Sequence, residues 1–171
     1  MNGPKLMLFG YARHGKDTVA EILTRNFGVR CVASSWFAAE RIMWPHFRDN
    51  NIKYASVQDC FDDRVNYRKD WFDQIAAYNA VDLCHMAREI FAEHDVYVGI
   101  RNDREFNQAK CEGLFDFGVW VDRSNHLPPE PTSSNKMQPW HADFILDNNG
   151  TLAELEDRAC KLYRHLRALK A

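Results

Sequence analysis

One loop narrows the options for this chain more than any other feature. The apolar run Lys5-Leu6-Met7-Leu8-Phe9 stops at Gly10, and Gly10-Tyr11-Ala12-Arg13-His14-Gly15-Lys16-Asp17-Thr18 leads into Val19, Ala20, Ile22, Leu23 and Phe27 at helical spacing. Gly10-x-x-x-x-Gly15-Lys16 between a strand and a helix is the pattern of a phosphate-binding loop. Small residues let the backbone curl until several amide N–H groups face one point, and the helix opening near Gly15 adds its positive end there. Lys16 then reaches the β- and γ-phosphates of a nucleotide as a movable charge. The bland alternative is a strand-to-helix turn that happens to carry two glycines and a lysine.

The rest of the chain repeats the strand–helix alternation. Further short apolar runs fall at residues 29–33, 96–100, 117–121 and 144–146. Residues 36–93 read as mainly helical, with Pro45 as an interruption, and 103–113 as a short helix. Thr151 and Glu154 form a capping box, followed by a stripe of Leu152, Leu155, Ala159, Leu162, Leu166 and Leu169. Short apolar strands alternating with helices predict an α/β fold, a five-stranded parallel sheet with helices on both faces. Residues 123–140 carry every proline except Pro4 and Pro45 and show no apolar period, which predicts a mobile excursion. With 171 residues and no linker or repeat, one domain spanning residues 1–171 is expected.

Composition removes several classes of function. Hydrophobic residues make up 46% and charged residues 27%, with a net charge of −2, which fits a globular chain and argues against one that coats nucleic acid. No apolar run approaches membrane-spanning length, and Met1 to Phe9 lacks the pattern of a signal peptide, so a cytoplasmic protein is expected. The five cysteines are scattered and never spaced as CxxC, and the histidines form no HxxxH pair, so neither disulfides nor a structural metal are expected.

The residue after the lysine, ordinarily Ser or Thr, is Asp17, with Thr18 following. A carboxylate there serves Mg²⁺ directly or through its water shell, and it also suits the start of a helix. The third strand ends in Gly99 where an acid near the metal is usual, leaving Asp103 and Asp122 as alternatives.

These residues carry a family resemblance. GYARHGKDT resembles the phosphate loop of phage-type deoxynucleoside monophosphate kinases and of animal-type phosphomevalonate kinases. Tyr97-Val98-Gly99-Ile100-Arg101, with Glu105 shortly after, is similar to the strand of these kinases that ends in an arginine. The segment 142–152 resembles the one that closes the adenine site in these kinases and in dephospho-coenzyme A kinases. The resemblance implies a P-loop kinase using ATP and Mg²⁺, with host cytoplasm as its place if the source is a phage. It implies that Gly10, Ala12, Arg13, His14, Gly15, Lys16, Asp17 and Thr18 cradle the ATP phosphates, with Asp17 toward the metal and Asn149 near adenine. It implies too that 123–140, with Arg123 and Lys136, closes as a lid, and that Ser34, Ser35 and Glu40 lie where the acceptor is recognised.

Arginines outside the loop are candidates for holding the charge of a transferring phosphoryl group. Arg101 falls at the carboxyl edge of the sheet, where ligands of open α/β sheets bind; its bland reading is a surface partner of Asp103 or Glu105. Arg64 and Arg68, four apart, are expected on one helix face and could clamp an acceptor phosphate, although flanking acids equally suit a solvated face. Trp36, Trp44, Trp71 and Trp140 could stack on a base or simply fill the core.

Three readings follow. The first is ATP- and Mg²⁺-dependent phosphorylation of a (deoxy)nucleoside monophosphate, with Lys16, Asp17 and Arg101 as catalytic residues. The second is a kinase of a hydroxyl acceptor, such as a hydroxymethylpyrimidine in DNA or a small metabolite, which needs a carboxylate within reach of the hydroxyl; Asp17, Asp103 and Glu40 qualify. The third, a nucleotide-gated switch, lacks a guanine-selecting NKxD motif. The partners expected are a small-molecule acceptor and, at most, a second copy of the chain, with neither membrane nor stable nucleic-acid binding.

Overall fold

The computed structural model describes residues 3–171. Five strands, β1 (Leu6–Phe9), β2 (Cys31–Ala33), β3 (Val96–Val98), β4 (Phe117–Asp122) and β5 (Phe144–Asp147), form one sheet in the order β2-β3-β1-β4-β5. Every neighbouring pair is parallel. This is the three-layer α/β architecture expected from the strand–helix alternation. β1 lies in the middle, so the loop that leaves it opens at the centre of the carboxyl edge.

The alternation of side chains along each strand builds two cores. Leu6, Leu8, Val96, Val98, Val119 and Val121 face α1 (Lys16–Phe27) and α8 (Leu152–Lys170). Met7, Phe9, Tyr97 and Trp120 face the opposite layer, where Phe37, Ile90 and Phe106 pack. That layer comprises α2 (Ser34–Ala38), α3 (Trp44–Asp49), α4 (Val57–Asp62), α5 (Arg68–Tyr78), α6 (His85–Glu93) and α7 (Asp103–Cys111).

Four local expectations change. Pro45 does not end its helix: a π-helical turn over Ala39–Met43 precedes it and leads directly into α3. A proline lacks the N–H and crowds the carbonyl four residues back, and a wider turn just before it relieves that conflict. Arg64 and Arg68 do not share a helix face, because Arg64 lies in a 3₁₀ turn, Asp63–Val65, while Arg68 opens α5. Asp63 accepts hydrogen bonds from Tyr54 Oη at 2.7 Å and Asn66 Nδ2 at 2.5 Å, which ties the chain into that break. The capping box of α8 forms as expected, but its buried stripe is Leu155, Ala159, Cys160, Tyr163 and Leu166, with Leu152 and Leu169 exposed at the two ends.

The fourth change concerns residues 123–140. They carry little regular structure, yet Asn135 and Met137 are fully buried, so the segment is seated on the sheet edge instead of standing off it. All five cysteines are free thiols. No helix among the described residues is long and apolar enough to cross a membrane.

Candidate active site

The loop after β1 owes its shape to two glycines and the residues packed behind them. Gly15 has φ of 93°, a left-handed conformation that glycine adopts without the strain of a side chain. A Cβ on Gly15 would collide with Asn148 Nδ2, and one on Gly10 would lie 2.6 Å from Val121 O. Arg13 also has a positive φ, 63°, uncommon for a residue with a side chain and found where the surroundings dictate the backbone.

Asn148, which the sequence analysis did not single out, is the main support. It is buried, accepts no place in solvent, and donates from Nδ2 to His14 O at 2.8 Å while its own N–H donates to Asp122 O at 2.7 Å. Asn149 instead ties the turn together: its Nδ2 donates to Asp122 Oδ2 at 3.0 Å and Asp147 Oδ1 at 2.7 Å, and its Oδ1 accepts from Asn125 N–H at 2.9 Å. Both asparagines sit in the Asp147-Asn148-Asn149-Gly150 turn, and only burial separates their roles.

His14 faces inward. Its Nδ1 accepts the Arg123 N–H at 2.9 Å, so the proton of the neutral ring is on Nε2, which is buried without a partner. Burial lowers its pKa, and Lys16 adds to that against the opposing effect of Asp122. A neutral His14 therefore pins the start of the 123–140 segment to the loop, and its imidazole does not reach toward a ligand. The Arg123 side chain is half-buried, and the exposed Lys136 meets the site through its backbone, donating its N–H to Arg101 O at 3.0 Å.

Lys16 is half-buried and donates from Nζ to Tyr11 O at 2.7 Å. Burial lowers its pKa, and the Arg101 guanidinium works in the same direction against Asp17 and Glu130. Asp17 is exposed in the first turn of α1, and Thr18 beside it is half-buried.

The feature absent from the sequence reading is Glu130. Its Oε2 accepts the Ala12 N–H at 2.7 Å and Asn135 Nδ2 at 3.2 Å, and its Oε1 takes Arg101 Nη1 at 3.0 Å. Arg101 thus pairs with Glu130, not with Asp103 or Glu105, and it also donates to Ser134 O at 3.3 Å. Burial opposes the charge on Glu130, but the Asn135 amide, Arg101 and the Ala12 N–H outweigh it and hold the carboxyl below its ordinary range. One signal pointed to it: Glu130 is the sole acid between residues 123 and 140, set between Pro129 and Pro131, whose fixed backbones leave it little freedom.

The remaining candidates lie further out. Arg64 donates to Phe61 O at 2.7 Å and stacks on the Phe61 ring, with Trp36 packed edge-on against the same ring; Arg68 is exposed. Ser34 Oγ donates to Gly99 O at 3.2 Å, joining the ends of β2 and β3, and Glu40 is exposed. Asp122 is engaged by Ser124 Oγ and Asn149 Nδ2, each at 3.0 Å, whereas Asp103 has a buried Oδ1 without a partner. Trp71 is buried and Trp140 is 77% exposed.

The chemistry of this corner suits a nucleotide polyphosphate. A backbone N–H and a guanidinium together already hold one carboxylate, and a phosphate oxygen asks for the same donors. Among the described residues no group of three or more His, Cys, Asp or Glu could hold a metal by itself. Mg²⁺ in phosphate sites is held mostly by phosphate oxygens and water with one or two carboxylates, and Asp17, exposed in the first turn of α1, is one carboxylate that could serve it.

No family model matches the chain, and no curated protein matches it in sequence. Solved structures do match in shape. TT1252 from Thermus thermophilus is 20% identical with a TM-score of 0.53, covering 96% of this chain and 98% of its own. Shikimate kinase from Aquifex aeolicus is 14% identical with a TM-score of 0.51, covering 97% and 99%. Dephospho-CoA kinase from Campylobacter jejuni is 12% identical with a TM-score of 0.51, covering 95% and 97%. At such identities the likeness is one of fold. The chain shares the five-stranded parallel α/β fold of these structures, two of which are kinases.

Proposed function

We propose that this protein is an ATP- and Mg²⁺-dependent phosphotransferase acting on a small acceptor. The observation that carries the reading is the anion corner itself, in which the Ala12 N–H and Arg101 close on one carboxylate beside Lys16. The residues of 10–18 bind the donor's phosphates in this reading, Asp17 serves Mg²⁺ and its waters, and Arg101 and Lys16 hold the charge that spreads over the transferring phosphoryl group. Mg²⁺ supplies further charge neutralisation when bound. The seated 123–140 segment excludes water that would otherwise be phosphorylated.

For the acceptor, the resemblance favours a (deoxy)nucleoside monophosphate, whose phosphate would take Arg101 from Glu130. A specific observation favours the second reading, a hydroxyl acceptor. A carboxylate beside the phosphate loop repels a phosphate dianion, yet it is the group a hydroxyl needs when it gives up its proton. The test is a panel offered with Mg²⁺ and γ-labelled ATP: deoxynucleoside monophosphates, deoxynucleosides, a 5-hydroxymethylpyrimidine deoxynucleoside free and in duplex DNA, and polyols. Label in any acceptor supports a phosphotransferase. Label in none, together with no binding of Mg-ADP by calorimetry, refutes it.

A further inference from the structure

We propose that Glu130 is the proton acceptor of the reaction and that the acceptor group is accordingly an alcohol; this rests on the phosphotransferase reading above. Three observations meet in it. The carboxylate lies against the loop, 2.7 Å from the Ala12 N–H, so whatever attacks a phosphoryl group held there comes within its reach. It is also oriented. Asn135, itself only 1% exposed, donates to Oε2 from one side and to Gly10 O at 3.4 Å on the other, while Arg101 takes Oε1. When a donor phosphate takes the Ala12 N–H, Asn135 and Arg101 still hold the carboxylate, one at each oxygen, so it keeps its aim at the rim of the loop. Finally, among the described residues it is the only carboxylate that accepts a hydrogen bond from a backbone N–H of residues 10–18. Asp17 is exposed on α1, Glu40 is exposed beyond α2, and Asp103 belongs to the start of α7.

The step balances without any further reagent. The acceptor oxygen forms a bond to the γ-phosphorus as the bond from that phosphorus to the bridging oxygen of ATP breaks, and the electron pair of the broken bond leaves on ADP. The hydroxyl proton passes to Glu130 and from there to water. The carboxylate is ionised at neutral pH, held so by Asn135, Arg101 and the Ala12 N–H against the effect of burial. A weak base suffices, because in a loose transition state the hydroxyl becomes acidic only as the new bond forms. The same charge selects the substrate. The phosphates of ATP arrive with Mg²⁺ and face Lys16, but a second phosphate dianion brought to Arg101 would have to evict Glu130 or sit against it, whereas a neutral hydroxyl meets an acceptor for its proton.

Glu130→Gln and Glu130→Asp separate this role from a structural one. Gln keeps the shape and an oxygen for the Ala12 N–H, and Asp keeps the charge one methylene further back. For an alcohol of the panel above, Gln should lower kcat on the order of 10²-fold or more. The KM for ATP and the affinity for Mg-ADP by calorimetry should stay within a few-fold. The acid limb of the kcat–pH profile should disappear, and Asp should restore part of the rate. Calorimetry without ATP should show that Gln binds a deoxynucleoside monophosphate more tightly than the wild type does.

The proposal is overturned if Gln retains kcat within a few-fold at an unchanged melting temperature. It is equally overturned if the wild type makes diphosphates from monophosphates and Gln does so as fast or faster. Should no panel member be labelled while Mg-ADP binds, water serves as the acceptor. Slower hydrolysis of γ-labelled ATP by Gln supports the role, and equal or faster hydrolysis overturns it. Loss of Mg-ADP binding in the wild type itself would instead refute the phosphotransferase reading.

Discussion

Replacing Glu105 by glutamine should remove a pH dependence of stability that is written into α7. The side chain is 5% exposed, and its only polar contact among the described residues is with Tyr97 Oη, 3.4 Å from Oε1. Burial pushes its pKa up to about 7, with Tyr97 holding it lower than burial alone would. In the unfolded chain the value returns to roughly 4.3. Between these values the folded state keeps a proton that the unfolded state has released, so stability falls as pH rises through the window and the loss is complete above it. The full displacement corresponds to roughly 3.7 kcal/mol, of which about 2.5 kcal/mol falls between pH 5 and pH 8. Glutamine has no charge to bury at either pH. Urea titrations of both proteins at the two pH values isolate the effect, since other titrating groups cancel in the difference. With a slope of about 2 kcal/mol per molar urea, the wild-type midpoint should drop relative to the variant's by roughly 1 M. Parallel behaviour of the two proteins would show that Glu105 is ionised in the folded state at both pH values and would refute the reasoning. Because α7 begins two residues after Arg101, the loss should also reach the strand end that presents the guanidinium.

Other perturbations read the site more directly. Asn148→Ala removes the donor that satisfies His14 O and empties a buried position, so it should cost roughly 1–3 kcal/mol in unfolding free energy and weaken Mg-ADP binding; an unchanged melting temperature and affinity would free Asn148 of its supporting role. Arg101→Lys cannot reproduce a planar fork and should cut kcat on the order of 10²-fold with ATP affinity little changed. If Arg101 were only an exposed partner of Glu130, turnover would stay normal and stability would change by well under about 1 kcal/mol. Asp17→Asn should shift the Mg²⁺ titration of activity to higher concentration, and an identical curve would leave Asp17 serving only the end of α1.

Much of the architecture was legible because it is written in local patterns. The loop between β1 and α1, the Thr151–Glu154 capping box and the alternation in Val119-Trp120-Val121 each declare their structure within a few residues. The parts that were not legible depend on groups meeting from far apart in the chain. Glu130 reaches Ala12 across 118 positions, and Asn148 reaches His14 across 134, so neither pairing leaves a local trace. Residues 123–140 looked mobile because prolines and polar residues dominate them, yet Asn135 and Met137 bury and anchor the segment. Arg64 and Arg68 show the opposite error, in which helical spacing was assumed across a break at Asn66 and Tyr67 that only the hydrogen bonds of Asp63 reveal.

The account stands most directly on the claim that the loop from Gly10 to Thr18 binds the phosphates of a nucleotide. Calorimetric titration of Mg-ADP into the wild type and Lys16→Ala, at matched melting temperatures, measures that claim without any acceptor. Saturable binding by the wild type at one site, weakened at least tenfold in Lys16→Ala, is the predicted result. Equal affinity in the two proteins, or no binding by the wild type, would contradict it.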